Sequence, residues 1–293
     1  MKTISIIVNI DRDTDLRHTK TLIDCVQKRG GKVKICNDIS VILGRTNLGC
    51  DYQEIFDDTD AIICLGGDGT FLKAARTANK NEIPVLGINL GNLGFLTEVD
   101  KKKIDEAVEC LFSGQYSIEK RMMLEAAIIR DGKIIGRDIA LNDIVISKGA
   151  LSRIIHIKTY INDSFVDIFP GDGLIVSSPT GSTAYSLSAG GPIVEPDLNV
   201  IIVTPICPHI LYSRSFITDG DRTVKAIVDE KYKYSAMVTA DGQEGHEIKG
   251  GDVIEVKKSQ HHVNLIRMNP KNFFSILRKK IYYRGEDLRK NEV

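Results

Sequence analysis

In the stretch "AIICLGGDGTFLKAA" (residues 61–75), Asp68 stands among Gly66, Gly67 and Gly69. Ala61 to Leu65 have the length and composition of a buried strand, and Phe71, Leu72, Ala74, Ala75 and Ala78 recur at helical spacing. A strand that enters a helix through glycines bares backbone N–H groups at a positive helix end, which suits phosphate. A carboxylate placed there repels phosphate unless a metal ion intervenes or the carboxylate has a proton to take. The plainer alternative is a tight turn in which Asp68 or Thr70 caps the helix. No Gly-Lys-Ser/Thr follows, so the loop is not a P-loop, and Leu72 stands where a Rossmann fingerprint needs its third glycine. Lys73 opposes the helix dipole. It either reaches phosphate oxygens or is a solvated surface lysine.

Two other stretches offer polar chemistry. Within "FPGDGLIVSSPTGSTAYSLSAGGPI" (residues 169–193), positions 177–191 hold five Ser, two Thr and three Gly. So many hydroxyls with so little core-forming material point to a site for a sugar or phosphate. Tyr185 is the only aromatic of those fifteen positions, as a ligand contact or as a half-buried amphipathic ring. Asp172, between two glycines, is a site residue or a turn residue. Ser182 lacks the Gly-x-Ser-x-Gly context of a nucleophile. In "LNDIVIS", Asn142 and Asp143 form a polar turn before a strand, or a pair able to grip both hydroxyls of a ribose.

The elements that must position these residues change character near residue 120. Before it, "TISIIVNI", "KVKIC", "AIICL" and "IPVLGIN" read as strands alternating with helices at residues 15–29, after the GGDG turn and at 100–113. That alternation predicts a parallel sheet whose ligands bind beyond the carboxyl ends of its strands. A second glycine-rich loop, "GINLGNLGF", lies at the same edge. After residue 120, alternating runs around Asp131-Gly132 and Asn162-Asp163-Ser164 predict hairpins, and further strands follow. The expectation is an α/β domain with a Rossmann-like parallel sheet at 1–118 and an all-β domain at 119–269. The segment 270–293 is amphipathic and expected to pack back on the first domain.

The bulk properties narrow the partners. Lys plus Arg and Asp plus Glu both number 39, so no charge excess points to nucleic acid or an acidic membrane. The amino-terminal apolar run is too short for a signal peptide, and no run approaches the roughly 20 residues of a membrane span. Cys25, Cys36, Cys50, Cys64, Cys110 and Cys207 show no CxxC spacing and read as reduced core thiols of a cytoplasmic protein.

The "GGDGT" of 66–70, "LND" of 141–143 and "GDGLIVSSPTGSTAYSLSAGGPI" of 171–193 resemble the NAD kinase family. "TPICPHILYSRSF" (204–216) and "DGQ" (241–243) continue the likeness in order, over nearly the whole chain. GGDGT is shared with diacylglycerol and sphingoid-base kinases, whereas TGSTAYSLSAGGP is highly specific. The resemblance implies transfer of the γ-phosphate of ATP to the 2′-hydroxyl of the adenosine ribose of NAD, giving NADP. It also implies a two-domain fold and a homodimer or homotetramer.

By the same likeness Asp68 is the general base. Gly66, Gly67, Gly69 and Thr70 line the phosphates with help from Lys73, and Mg2+ or another divalent cation is held mainly by ATP. Asn142 and Asp143 hold ribose hydroxyls, and Thr183, Ala184, Tyr185, Ser186, Leu187 and Ser188 follow the dinucleotide together with Asp68 and Gly69. Asp172 and Gln243 lie nearby, Arg153 occupies a basic contact position, and Phe95 stacks on adenine unless it is a core residue. One departure is Pro170, where many members carry Arg. Proline replaces no guanidinium contact, which leaves the choice between NAD and NADH open. A lipid kinase, which needs an apolar cleft, and a dinucleotide sensor without turnover are the alternatives.

Overall fold

The computed structural model describes residues 3–78, 82–91, 94–149, 153–243, 245–268 and 273–280. The chain divides into two compact units, Met1–Lys120 with Val263–Val293, and Arg121–His262.

The first unit is built on a parallel sheet. Its strands are β1 (Thr3–Val8), β2 (Lys32–Cys36), β3 (Gly49–Cys50), β4 (Ala61–Gly66) and β5 (Val85–Asn89), ordered β3-β2-β1-β4-β5. Beside β5 lie the short β6 (Val99–Asp100) and Leu265 near the end of the final strand. All residues of β4 and β5 are buried, which fits the continuous apolar runs expected of strands covered on both faces. The helices are α1 (Arg17–Lys28), α2 (Asn37–Ile42), α3 (Asp68–Ala78) and α4 (Ile104–Ser113). Thr19, Leu22, Ile23 and Val26 of α1 are buried at helical spacing, and Ile104, Ala107, Val108 and Leu111 do the same for α4. The strand order reverses between β1 and β4. The crevice beyond their carboxyl ends, next to Asn9 and Gly67, is the switch point where such sheets bind ligands.

α2 and β3 are not announced by the sequence. "NDISVI" has strand-like composition, yet it forms a helical turn that leaves Val41 and Ile42 about two-thirds exposed, at 65% and 64%.

The second unit carries two antiparallel layers. One contains β10 (Ile155–Ile161), β11 (Ser164–Gly171), β15 (Val224–Val228) and the first part of β18 (Val253–Arg267), ordered β11-β10-β15-β18. The hairpin of β7 (Ser117–Arg130) and β8 (Lys133–Ala140) turns at Asp131-Gly132. The other layer holds β9 (Asp143–Lys148), β12 (Gly173–Ser177), β13 (Val200–Ile206), β14 (Phe216–Asp219), β16 (Ala236–Ala240) and β17 (Gly245–Ile248), in the order β14-β13-β12-β9-β16-β17. A single apolar core contains residues of both layers, including Ile144, Ile146, Val238, Ile157, Ala226 and Val256. The only α-helix among the described residues of this unit is the four-residue α5 (Tyr185–Ser188).

Of the carboxyl-terminal segment 270–293, residues 273–280 are described, and they form helix α6. The ring of Phe273 lies 6.0 Å from that of Phe95. All six cysteines are free thiols, but the expectation of six core thiols needs correction. Only Cys64 is buried, and Cys207 is exposed, because the chain turns out of β13 there with φ of 43°. No helix among the described residues is long and apolar enough to cross a membrane.

Candidate active site

Asp68 begins α3, yet it does not cap that helix. Its Oδ1 accepts hydrogen bonds from the Leu96 N–H (3.1 Å), the Thr97 N–H (3.1 Å) and the Thr97 hydroxyl (3.0 Å). Its Oδ2 accepts one from the Phe95 N–H at 2.9 Å. The carboxylate therefore organises the end of the second glycine-rich loop. Gly94 is required by this approach, since a Cβ there would overlap the Asp68 carboxylate and the Thr97 hydroxyl. Gly94→Ala is accordingly expected to displace Asp68, and a shift of about 1 Å at a reacting group costs on the order of 10²-fold in turnover. Steady-state kinetics beside a thermal melt would separate this from a folding defect.

Around Asp68 is a cleft of about 300 Å³ lined by Asn9, Arg12, Gly67, Gly69, Thr70, Gly94 and Lys280. Gly67 and Gly69 bare their backbone to it, and Arg12 and Lys280 bring positive charge. Arg12 packs on Gly67, where a Cβ would stand 2.9 Å from its Nη1. Lys73 does not line this cleft. It borders a neighbouring one with Asp11, Asp38 and Tyr52, its Nζ 5.6 Å from the Tyr52 ring centre. Gly66 lies beneath the loop, where a Cβ would overlap the Thr70 hydroxyl. Phe95 is half-buried, with the ammonium of Lys280 4.3 Å over its ring.

In the second unit a cleft of about 350 Å³ is lined by Asn142, Asp143, Val145, Ser147, Ala184, Tyr185, Thr239, Asp241 and Gly242. Strand alternation builds its floor. Ile144 and Ile146 of β9 face the core, so Asp143, Val145 and Ser147 face the other way. Thr239, paired with Val145, extends that face onto β16. Asp241 holds the rim. Its carboxylate accepts the N–H groups of Leu141 (2.9 Å), Asn142 (2.7 Å) and Asp143 (3.3 Å), and its own N–H donates to the Asp143 carbonyl at 3.0 Å.

Burial first, and then the neighbouring Asp241 carboxylate, push the Asp143 carboxyl up from 3.8 to about 7. A raised carboxyl favours its neutral form in the folded state. The penalty is absent below the unfolded value, grows as pH rises from about 4, and is complete above about 7. Asp143→Asn should therefore stabilise the ligand-free protein at pH 8 by roughly 2–4 kcal/mol. The gain should shrink towards pH 5, as urea midpoints at the two pH values would report.

Four serines of the hydroxyl-rich stretch have a use that its composition does not reveal. Ser177 and Ser178 donate to the carbonyls of Asn142 (3.2 Å) and Leu141 (2.5 Å). Ser182 bonds both backbone groups of Val194, and Ser186 bonds the Thr204 hydroxyl at 3.1 Å. These four serines are buried and fold the loop, so Ser186 is turned from the cleft. Gly181 lies so close to the Asn142 carbonyl that a Cβ would overlap it. Ala184 and Tyr185 line the cleft, whereas Thr183, Leu187 and Ser188 lie on the same stretch outside its lining.

Two other expected site residues, Asp172 and Arg153, lie away from it. Asp172 stands beyond the far end of β12 from Ser177, the residue paired with Asp143, and forms an ion pair with Lys148 at 2.7 Å. Arg153 lies beside His156, Tyr232 and Tyr234 in another depression. Gln243 is exposed on the turn after Gly242. Pro170 sits in β11 opposite His156.

Sequence reasoning passed over Arg12, Lys280 and Asp241. Asp241 carried a signal in its Asp-Gly turn, and the two cations carried none.

The ATP-NAD kinase N-terminal domain model matches residues 51–116, and the ATP-NAD kinase C-terminal domain model matches 141–268. The NAD kinase of Acetivibrio thermocellus is 56% identical over 99% of this chain and all of its own length. The chain belongs to the NAD kinase family. It is therefore an enzyme, a phosphotransferase. The NAD kinase of Ruminiclostridium cellulolyticum is 49% identical over 98% of the chain and 100% of its own. Among solved structures, a yeast NADH kinase complexed with NADH superposes with a TM-score of 0.86 at 24% identity, covering 97% of this chain and 88% of its own. An NAD kinase from Archaeoglobus fulgidus in complex with ATP does so with a TM-score of 0.74 at 25% identity, covering 96% and 99%. The yeast likeness speaks for the two-domain NAD kinase fold alone.

Proposed function

We propose that this chain transfers the γ-phosphoryl group of ATP to the 2′-hydroxyl of the adenosine ribose of NAD, with Asp68 as the general base. The observation that carries this reading is the environment of Asp68 Oδ2. Each carboxylate oxygen offers about two lone-pair positions. Oδ1 takes three donors and Oδ2 takes one, so Oδ2 keeps a position for a hydroxyl within a cleft that also holds Arg12 and Lys280. As the hydroxyl oxygen bonds to Pγ, the bond from Pγ to the β–γ bridging oxygen breaks. ADP leaves with that electron pair, and the hydroxyl proton passes to Asp68 Oδ2. Positioning and charge neutralisation supply most of such a transfer, and a positioned base about 10² to 10⁴-fold.

Asn142 and Asp143 are assigned to ribose hydroxyls, Ala184 and Tyr185 to the dinucleotide, and Gly67, Gly69 and Thr70 to phosphates. NAD kinase relatives at high identity and an ATP-bound member of the family support NAD and ATP as the substrates. No three His, Cys, Asp or Glu side chains gather to hold a metal among the described residues. Mg2+ is therefore assigned to the phosphates of ATP, where it offsets their charge. The reading includes a cytoplasmic enzyme that works as a homodimer or homotetramer.

The test supplies NAD, ATP and Mg2+ and follows NADP with an NADP-specific dehydrogenase, beside a parallel reaction offering diacylglycerol vesicles. NADP formation supports the reading. Phosphorylated lipid without NADP would favour a lipid kinase, and bound NAD without product a sensor.

A further inference from the structure

The Asp68 cleft holds a cation that arrives from the other end of the chain. Lys280, the last described residue of α6, places its Nζ 3.8 Å from Asp68 Oδ2 and 4.3 Å over the Phe95 ring. Asp68 does not depend on this partner for its position, because four N–H and O–H donors at 2.9–3.1 Å already hold it. Nor does Lys280 spend its donors there, since 3.8 Å is beyond hydrogen-bond range and Nζ makes no hydrogen bond among the described residues. It is held instead by the ring face of Phe95, which in turn packs on Phe273 of the same helix. Its side chain is 34% exposed on the wall of the cleft. An ammonium fixed by an aromatic face, with three donors to offer, suits a phosphate oxygen.

We infer that Lys280 is a catalytic residue that donates to the transferring γ-phosphoryl group at this cleft, whose lining the GGDG helix lysine, Lys73, does not join. The inference rests on the reading of the cleft as the phosphoryl-transfer site. As Pγ parts from the bridging oxygen, the charge on the nucleotide's phosphate oxygens is met by Lys280 on one side and Arg12 on the other. The carboxyl-terminal helix thus completes the site, with Phe95 as the surface that docks it.

The test compares wild type, Lys280→Ala and Lys280→Arg by calorimetric binding of inorganic tripolyphosphate and by turnover of NAD with ATP and Mg2+. Lys280→Ala is expected to bind tripolyphosphate about tenfold more weakly and to lose about 10- to 100-fold in kcat. The KM for NAD should stay within about twofold and the thermal midpoint unchanged. Lys280→Arg should recover much of both losses. Unaltered tripolyphosphate binding in Lys280→Ala would overturn the inference, as would a rise confined to the KM for NAD. Should wild type make no NADP while binding tripolyphosphate in a Lys280-dependent way, the kinase reading fails and the phosphate role of Lys280 stands.

Discussion

Asp68→Asn is expected to lower kcat by about 10² to 10⁴-fold while NAD binding persists. The amide is nearly isosteric, and its carbonyl oxygen in the Oδ1 position still accepts from Leu96, Thr97 and the Thr97 hydroxyl. What it cannot do is take a proton at the Oδ2 position, where an NH2 group would instead face the Phe95 N–H. Turnover and calorimetric NAD binding, measured on the same preparation, separate the two roles of this carboxylate. Joint loss of activity, binding and fold would mean that Asp68 only holds the 94–97 loop.

Arg267→Met is expected to destabilise the first unit by about 3–5 kcal/mol, the cost of leaving a buried charge without its partner. Arg267 Nη1 meets Glu98 at 3.0 Å and Nε meets Glu119 at 2.7 Å, with side-chain exposures of 8% for Arg267 and 3% for Glu98. The other Glu98 oxygen accepts the Met268 N–H at 2.8 Å, and Arg267 Nη2 reaches the Phe95 carbonyl at 3.4 Å. The network therefore ties the end of β18 to the loop whose N–H groups hold Asp68. Urea denaturation should show the loss of stability, and kcat should fall further than the unfolded fraction explains. An unchanged urea midpoint would contradict the assignment of Arg267 as the counter-ion of Glu98.

The parallel half was legible because burial on both faces leaves a plain mark: β4 opens on the apolar run Ala61 to Leu65, and β5 is apolar at Val85, Leu86 and Ile88. The GGDG turn was legible for a similar reason, since glycines at a strand-to-helix junction have few uses. The partners of Asp68 were not, because they lie 27 to 29 residues away on another loop. Asp241 reaches backbone 98 to 100 residues away, a distance no local pattern records. In the serine-rich stretch the ambiguity was one of chemistry rather than distance. A serine is small enough to be buried, and its hydroxyl satisfies a carbonyl as readily as it would a sugar, as Ser178 and Ser182 do. Lys280 was invisible because a lysine near a chain end looks like any solvated cation until Phe95 and Asp68 are seen beside it.

The most direct measurement follows the phosphorus. Purified protein is given NAD, Mg2+ and ATP, and the products are resolved by 31P NMR against a parallel reaction with the analogue lacking the adenosine 2′-hydroxyl. The expected result is one 2′-phosphate on the adenosine ribose of NAD for each ADP formed, at least about 10²-fold slower in Asp68→Asn, and none on the analogue. ADP and free phosphate without a dinucleotide phosphomonoester, or phosphate on a different hydroxyl, would contradict Asp68 as the base for that acceptor.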